Sequence, residues 1–192
     1  IVDIISDVNL AYSEHARRYL AECGLPRERT YVTGSPMAEV LHQNLAEIEA
    51  SDIHQRLGLE KGKYILLSAH REENIDTEKN FFSLFNAINA MAEKYDMPIL
   101  YSCHPRSRNR LAASGFQLDP RVHVQQPLGF HDYNCLQMNA FAVVSDSGTL
   151  PEESSFFTSV GHPFPAVCIP VSSFPVLTPM VSFSLLIPPW NL

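Results

Sequence analysis

The sequence predicts an α/β fold, a Rossmann-like parallel sheet with helices on both faces. Three observations lead there. Short apolar segments at 64–69, 98–102, 122–125, 141–145 and 166–169 alternate with longer helical ones, the pattern of βαβ units. The segments are apolar nearly throughout rather than every second residue, as strands covered on both faces are. Each of the first four gives way to polar or turn-forming residues, as strand ends do.

The elements follow in order. Val8–Tyr12 is a short apolar segment. Ser13 then caps a helix with Glu14 in its first turn, and Gly24-Leu25-Pro26 stops it. Tyr31–Thr33 is a short strand, and Gly34-Ser35-Pro36 opens the next helix, with proline near its first position. Ser51–Leu57 is a helical turn ending near Gly58. After the 64–69 strand, Phe81–Tyr95 is a helix whose stripe is Phe82, Leu84, Phe85, Ile88 and Met91. Helices at 106–114, 131–139 and 150–157 separate the later strands.

Residues 165–192 differ in kind. They hold no Asp, Glu, Lys or Arg, where the chain's average of 18% predicts about five. Pro165, Pro170, Pro175, Pro179, Pro188 and Pro189 defeat a helix or a central strand, and they break the run too often for a membrane span. The expected organisation is a folded lobe over 1–169 and an aberrant proline-rich tail over 170–192, left by a frame change or mis-splice near Ile169. A natural tail that packs on a partner is the alternative.

The 192 residues suffice for one ordinary domain. A formal charge of −7 without a basic run argues against nucleic acid or an anionic membrane as partner, though not against a small anionic ligand. Cys23, Cys103, Cys135 and Cys168 are scattered, as in a reduced cytoplasmic chain rather than a disulfide framework or zinc site. His15, His42, His54, His123 and His162 have no metal-ligand spacing, so no metal is expected. Ile1-Val2-Asp3 carries neither a signal peptide nor an initiator Met, and the expectation is a fragment whose N-terminus lies upstream. P-loop, dinucleotide-fingerprint and nucleophile-elbow motifs do not occur.

In an open parallel sheet, ligands bind outside the carboxyl ends of the strands. That rule selects 70–74, 103–106, 126–133 and 146–153, all on one rim. In the last, Ser147-Gly148-Thr149 stands at a strand-to-helix junction, where free N–H groups and the helix dipole favour a phosphate, and Gly148 permits close approach. Glu152 and Glu153 follow in the first turn. Either could accept both hydroxyls of a ribose, and Glu152 is expected to be the solvated one. An ordinary N-cap, worth ~1 kcal/mol, explains the same residues equally well. His70 beside Arg71 is a phosphate clamp or acid/base pair, or else a rim His with an Arg paired to Glu72 or Glu73. His104 before Pro105 reads as a buried His fixing a turn, Arg106 is a phosphate counter-charge or solvent-facing, and Phe130 and Tyr133 stack a base or join the core.

In these residues the chain resembles the non-hydrolysing UDP-N-acetylglucosamine 2-epimerases. The likeness lies in Ser13-Glu14, Val32-Thr33-Gly34-Ser35, Ala69-His70-Arg71-Glu72-Glu73-Asn74, His104-Pro105, Pro127-Leu128-Gly129-Phe130 and Asp146-Ser147-Gly148-Thr149 with Glu152-Glu153, an ordered set across roughly residues 1–169. The wording around His70 and Ser147 is most similar to the capsule and O-antigen branch that makes UDP-N-acetyl-L-fucosamine. The resemblance implies a glycosyltransferase-B-like pair of lobes, of which this chain is most of the C-terminal one. It implies a UDP-N-acetylhexosamine substrate, no cofactor, a cytoplasmic homodimer, and inversion at C2 through loss and re-addition of UDP. It implies His70 and Glu14 as catalytic, His70 with Arg71 at the phosphates and reacting sugar, and Ser147 and Gly148 on the diphosphate. Glu153 would hold the ribose, Tyr133 or Phe130 would flank the uracil, and His104 belongs to the same site. The family's first lobe has no counterpart here, and Pro170–Pro175 stands where the family continues with an Arg and a Thr-Glu-Arg-Pro-like segment. The chain alone is therefore expected to be inactive. A glycosyltransferase of the same fold, a hydrolysing epimerase and a non-catalytic remnant are the alternatives.

Overall fold

A computed structural model describes residues 1–69, 77–103, 105–161 and 166–168. They form two compact units, residues 1–43 and the residues from Asn44 onward.

In the first unit a short helix α1 (Val2–Ile5) precedes strand β1 (Asn9–Ala11), helix α2 (Glu14–Glu22), strand β2 (Thr30–Val32) and helix α3 (Met37–Gln43). Ser13 caps α2 as its sequence predicts, its Oγ accepting from the Ala16 N–H at 3.2 Å. β1 and β2 pair in parallel, Leu10 opposite Tyr31, and α2 packs against both. α1 was not foreseen, since four residues are too few to show a helical period.

The second unit begins with α4 (Leu45–Glu49) and α5 (Ile53–Leu57). α4, at five residues, is likewise too short to show a helical period. Gly58 ends α5 in the left-handed region at φ 63°, where a side chain would be strained. There follow β3 (Ile65–Ser68), α6 (Glu78–Tyr95), β4 (Ile99–Ser102), α7 (Pro105–Ser114), β5 (Val122–Gln125), α8 (Phe130–Met138), β6 (Ala142–Ser145), α9 (Leu150–Ser159) and β7 (Ala166–Cys168). The five strands make one parallel sheet in the order β5-β4-β3-β6-β7, the doubly wound arrangement predicted from the alternation.

Both faces of this sheet are covered. Ile65 and Leu67 of β3, Ile99 and Tyr101 of β4, and Val144 of β6 pack into the core that α6 closes. Leu66, Leu100 and Val143, pointing the other way, are equally buried. The stripe of α6 differs slightly from the expected one. Phe81, Leu84, Phe85, Ile88 and Ala92 are buried, whereas Phe82 and Met91 lie at its edges, partly covered. Among the described residues no helix is long and apolar enough to cross a membrane.

Below the sheet, α8 packs against α4 and α5 around a short polar chain. The Tyr64 hydroxyl donates to the Leu136 carbonyl at 2.6 Å and lies 3.0 Å from His54 Nε2. One hydroxyl has one proton, so Nε2 must be the donor to it and Nδ1 is left as an acceptor. Nδ1 faces the Cys135 thiol at 3.8 Å. Burial, and then the charge of Lys61, lower the pKa of His54.

Candidate functional site

All five strands run the same way, so their carboxyl ends share one rim. From β3 the chain crosses to β4 and β5 on one side, and to β6 and β7 on the other. The winding reverses between β3 and β6, where Ser68 is the register partner of Ser145. A crevice opens at such a reversal because the two connections leave in opposite directions.

A cleft of about 300 Å3 lies at this point. Ser68, Ser102 and Ser145, the last residues of β3, β4 and β6, line it with buried hydroxyls. Pro127, Leu128 and Tyr133 enter from the β5–α8 connection and α8, and Ser147, Thr149, Leu150 and Glu153 from the β6–α9 junction and α9. Tyr133 is half-buried and lines the cleft together with Ser68. Burial pushes its phenol above the ordinary value near 10, and the Glu153 carboxylate pushes the same way, so it stays a protonated donor at neutral pH.

The β6–α9 junction is built on serine hydroxyls. The Ser147 N–H donates to Ser145 Oγ at 3.0 Å, and the Thr149 N–H to Ser147 Oγ at 3.3 Å. Ser147 Oγ and Thr149 Oγ1 are 2.9 Å apart. Thr149 stands at the N-cap of α9, and its side chain makes no capping bond. Among the described residues the N–H groups of Gly148 and Leu150 meet no acceptor, and Pro151 has none to offer. Two open donors, two hydroxyls and a helix dipole converge here, an arrangement suited to an anionic group. Gly148 has no positive φ, and a Cβ built on it meets nothing within 4 Å. The fold itself does not require glycine there.

Glu153 follows one turn later and is half-buried. Gln137 Nε2 donates to its Oε2 at 2.5 Å. Gln137 is 1% exposed, and its Oε1 is buried without a partner among the described residues. An unpaired buried carbonyl costs about 1–3 kcal/mol. Glu152, expected in solvent, is half-buried too, but does not line the cleft.

The structure thus brings Tyr133, Ser147 and Glu153 together, with Gly148 between two lining residues. Phe130 does not join them. It is 43% exposed at the start of α8, edge-on to His131, and neither lines the cleft nor enters the core. Glu14 belongs to residues 1–43, where it is exposed and paired with Arg17 and Arg18 at 3.4 and 3.6 Å. His70, Arg71 and His104 lie outside the described residues. Pattern reading missed Ser68, Ser102 and Ser145, which line the cleft, and Gln137, which bonds a lining carboxylate. A signal for three of them was present, because each of three apolar strands ends in serine at the rim where ligands bind. Among the described residues no group of His, Cys, Asp and Glu is arranged to hold a metal ion.

A doubly wound parallel sheet with helices on both faces and a cleft at its winding reversal defines a Rossmann-like α/β domain. The chain belongs to the UDP-N-acetylglucosamine 2-epimerase family, whose sequence profile matches residues 1–161. The UDP-N-acetylglucosamine 2-epimerase of Methanocaldococcus jannaschii is 27% identical over 161 residues, covering 80% of this chain and 44% of that protein. The structure of UDP-N-acetylglucosamine 2-epimerase from Rickettsia bellii matches with a TM-score of 0.73 at 38% identity, over 86% of this chain and 42% of that one. The M. jannaschii enzyme in complex with UDP-GlcNAc and UDP matches with a TM-score of 0.74 over 92% of this chain and 54% of that one. Its identity is 23%, and the likeness is one of fold. The chain spans less than half the length of the curated relatives it matches.

Proposed function

We propose that the chain is the UDP-binding lobe of a cytoplasmic UDP-N-acetylhexosamine 2-epimerase that supplies precursors for a capsule or O-antigen polysaccharide. The observation that carries this is the junction at Ser147–Thr149. It offers open N–H groups and hydroxyls to a diphosphate, and the Glu153 carboxylate stands beside it for the ribose hydroxyls. Tyr133 supplies the aromatic wall for the base. His70 and Glu14 take the acid/base roles, and Arg71 and His104 attend the phosphates.

The reaction proposed for the whole protein removes the C2 proton and breaks the C1–O bond to UDP, giving a glycal. UDP adds back to C1 as a proton returns to the opposite face of C2. Two lobes and two subunits complete the enzyme, with residues 1–169 as its second lobe and 170–192 as an aberrant tail. The chain by itself lacks the first lobe's groups and does not turn over.

Calorimetric titration of the chain with UDP, with ADP as control, tests the lobe. Preference for UDP at millimolar dissociation constants, about −4 kcal/mol, is expected. It should be lost in Ser147→Ala and Glu153→Ala. A folded chain that binds UDP and ADP alike sinks the reading. Conversion of a UDP-N-acetylhexosamine at C2 by the chain alone would sink the part concerning inactivity.

A further inference from the structure

Tyr133 and Gln137 are four residues apart on α8 and so share one face of the helix. Tyr133 lines the cleft, and Gln137 reaches Glu153. A carboxylate only accepts, so the NH2 of the amide must face Glu153 and Oε1 is turned into the protein, where nothing described pairs with it. A Leu or Met of similar size would fill the same space without an unpaired oxygen. Gln137 is therefore a poorer residue for packing than its apolar neighbours Leu136 and Met138, and among the described residues its side chain bonds a cleft-lining carboxylate.

We infer that Gln137 is a positioning residue. It holds Oε2 of Glu153 so that the carboxylate is fixed before a ligand arrives, with Oε1 left to accept from the vicinal hydroxyls of a ribose. The inference rests on the proposed UDP site. A carboxylate held in one orientation loses less freedom on binding than one that must first be ordered. The amide thus acts on the ribose alone and not on the diphosphate, which meets the Ser147–Thr149 junction.

The test is titration of the full chain with UDP and with 2′-deoxy-UDP, in the wild type, Gln137→Met, Glu153→Ala and the double variant, with the thermal midpoint of each. The expected result for Gln137→Met is UDP binding weakened by about tenfold with 2′-deoxy-UDP unchanged, a loss of preorganisation confined to the diol. Its midpoint should equal or exceed that of the wild type, because the unpaired oxygen is gone. The double variant should be no worse than Glu153→Ala, since both changes remove one interaction. Gln137→Leu repeats the comparison if methionine does not pack. Unchanged discrimination in Gln137→Met overturns the inference while leaving the UDP site standing. Equal loss for both nucleotides with a lowered midpoint overturns it as well, because that is a packing role. A wild type that does not distinguish the two nucleotides removes the ribose assignment and this inference together.

Discussion

In the unit from Asn44 onward, all four residues of each of β3, β4 and β6 are buried, whereas in residues 1–43 Leu10, Tyr31 and Val32 of the two strands stand open. Of the large apolar residues exposed among those described, only Phe130 belongs to the second unit. The rest, from Ile1 to Val40, are in the first. Both units use the same local devices, a parallel pair with a connecting helix. Five strands with helices on both faces bury what they present. Two strands with one helix against them cannot, and a two-stranded sheet is marginal by itself. The contrast shows that local pattern fixes elements, while the number of layers determines whether their apolar faces are covered.

The largest effect separating the units is expected at Phe85. It is fully buried, packing on Phe81, Tyr101 and Phe116. Phe85→Ala should cost about 3–5 kcal/mol of unfolding free energy in urea. Tyr19→Ala, at a position 63% exposed in the first unit, should change it by less than about 0.5 kcal/mol. Equal costs would mean that Tyr19 is covered in solution.

The same contrast explains what could be read from sequence. The strands from β3 to β7 were legible within a residue or so, because buried parallel strands are apolar throughout and flanked by turns. The α6 stripe was displaced by one position at its start because adjacent Phe81 and Phe82 fit a helical period equally well. α1 and α4 were not legible, being shorter than the window in which a period shows. Within the cleft, Ser147 and Glu153 were found through the rule for strand ends. Gln137 was not, because it sits mid-helix in an apolar stretch, where only its distance from Glu153 betrays it. Phe130 was assigned to the site through resemblance, and it is not among the residues that line the cleft.

A smaller effect is expected from His54, and it belongs to the second unit alone. Its pKa is lowered in the fold, first by burial. The unfolded chain therefore binds the proton more tightly. Above the ordinary value near 6.5 both states are neutral and stability is at its full value. As pH falls below that, the unfolded state is protonated first and stability is lost. Urea midpoints from pH 7.5 to 5 should show this decline. In His54→Gln the decline attributable to this group should vanish, and an unchanged slope would show that other groups cause it.

Gly148 tests whether the cleft, unlike the core, can be altered without cost to the fold. Its backbone is ordinary and the space before it is open, so Gly148→Ala should leave the urea midpoint unchanged or slightly raised. UDP binding should weaken by roughly tenfold, about 1.4 kcal/mol, as the methyl crowds the junction donors. Retained affinity would show that the ligand approaches elsewhere.

Little effect on stability is expected, too, where the comparison began. Leu10 and Tyr31 are register partners across β1 and β2, 65% and 56% exposed. If that pair faces water in the isolated chain, Leu10→Ser with Tyr31→Ser removes little burial, and each change should alter the unfolding free energy by less than about 0.5 kcal/mol. The variant should nevertheless stay monomeric to higher concentration in light scattering, because an open apolar strand pair is a surface for association. A loss of several kcal/mol would instead mean that the pair is covered in solution. A concentration-dependent midpoint in the wild type, abolished in the variant, would then identify another copy of the chain as the cover. The first unit's apolar face would in that case be a buried core completed by association, and the difference between the two units would be one of assembly rather than of packing.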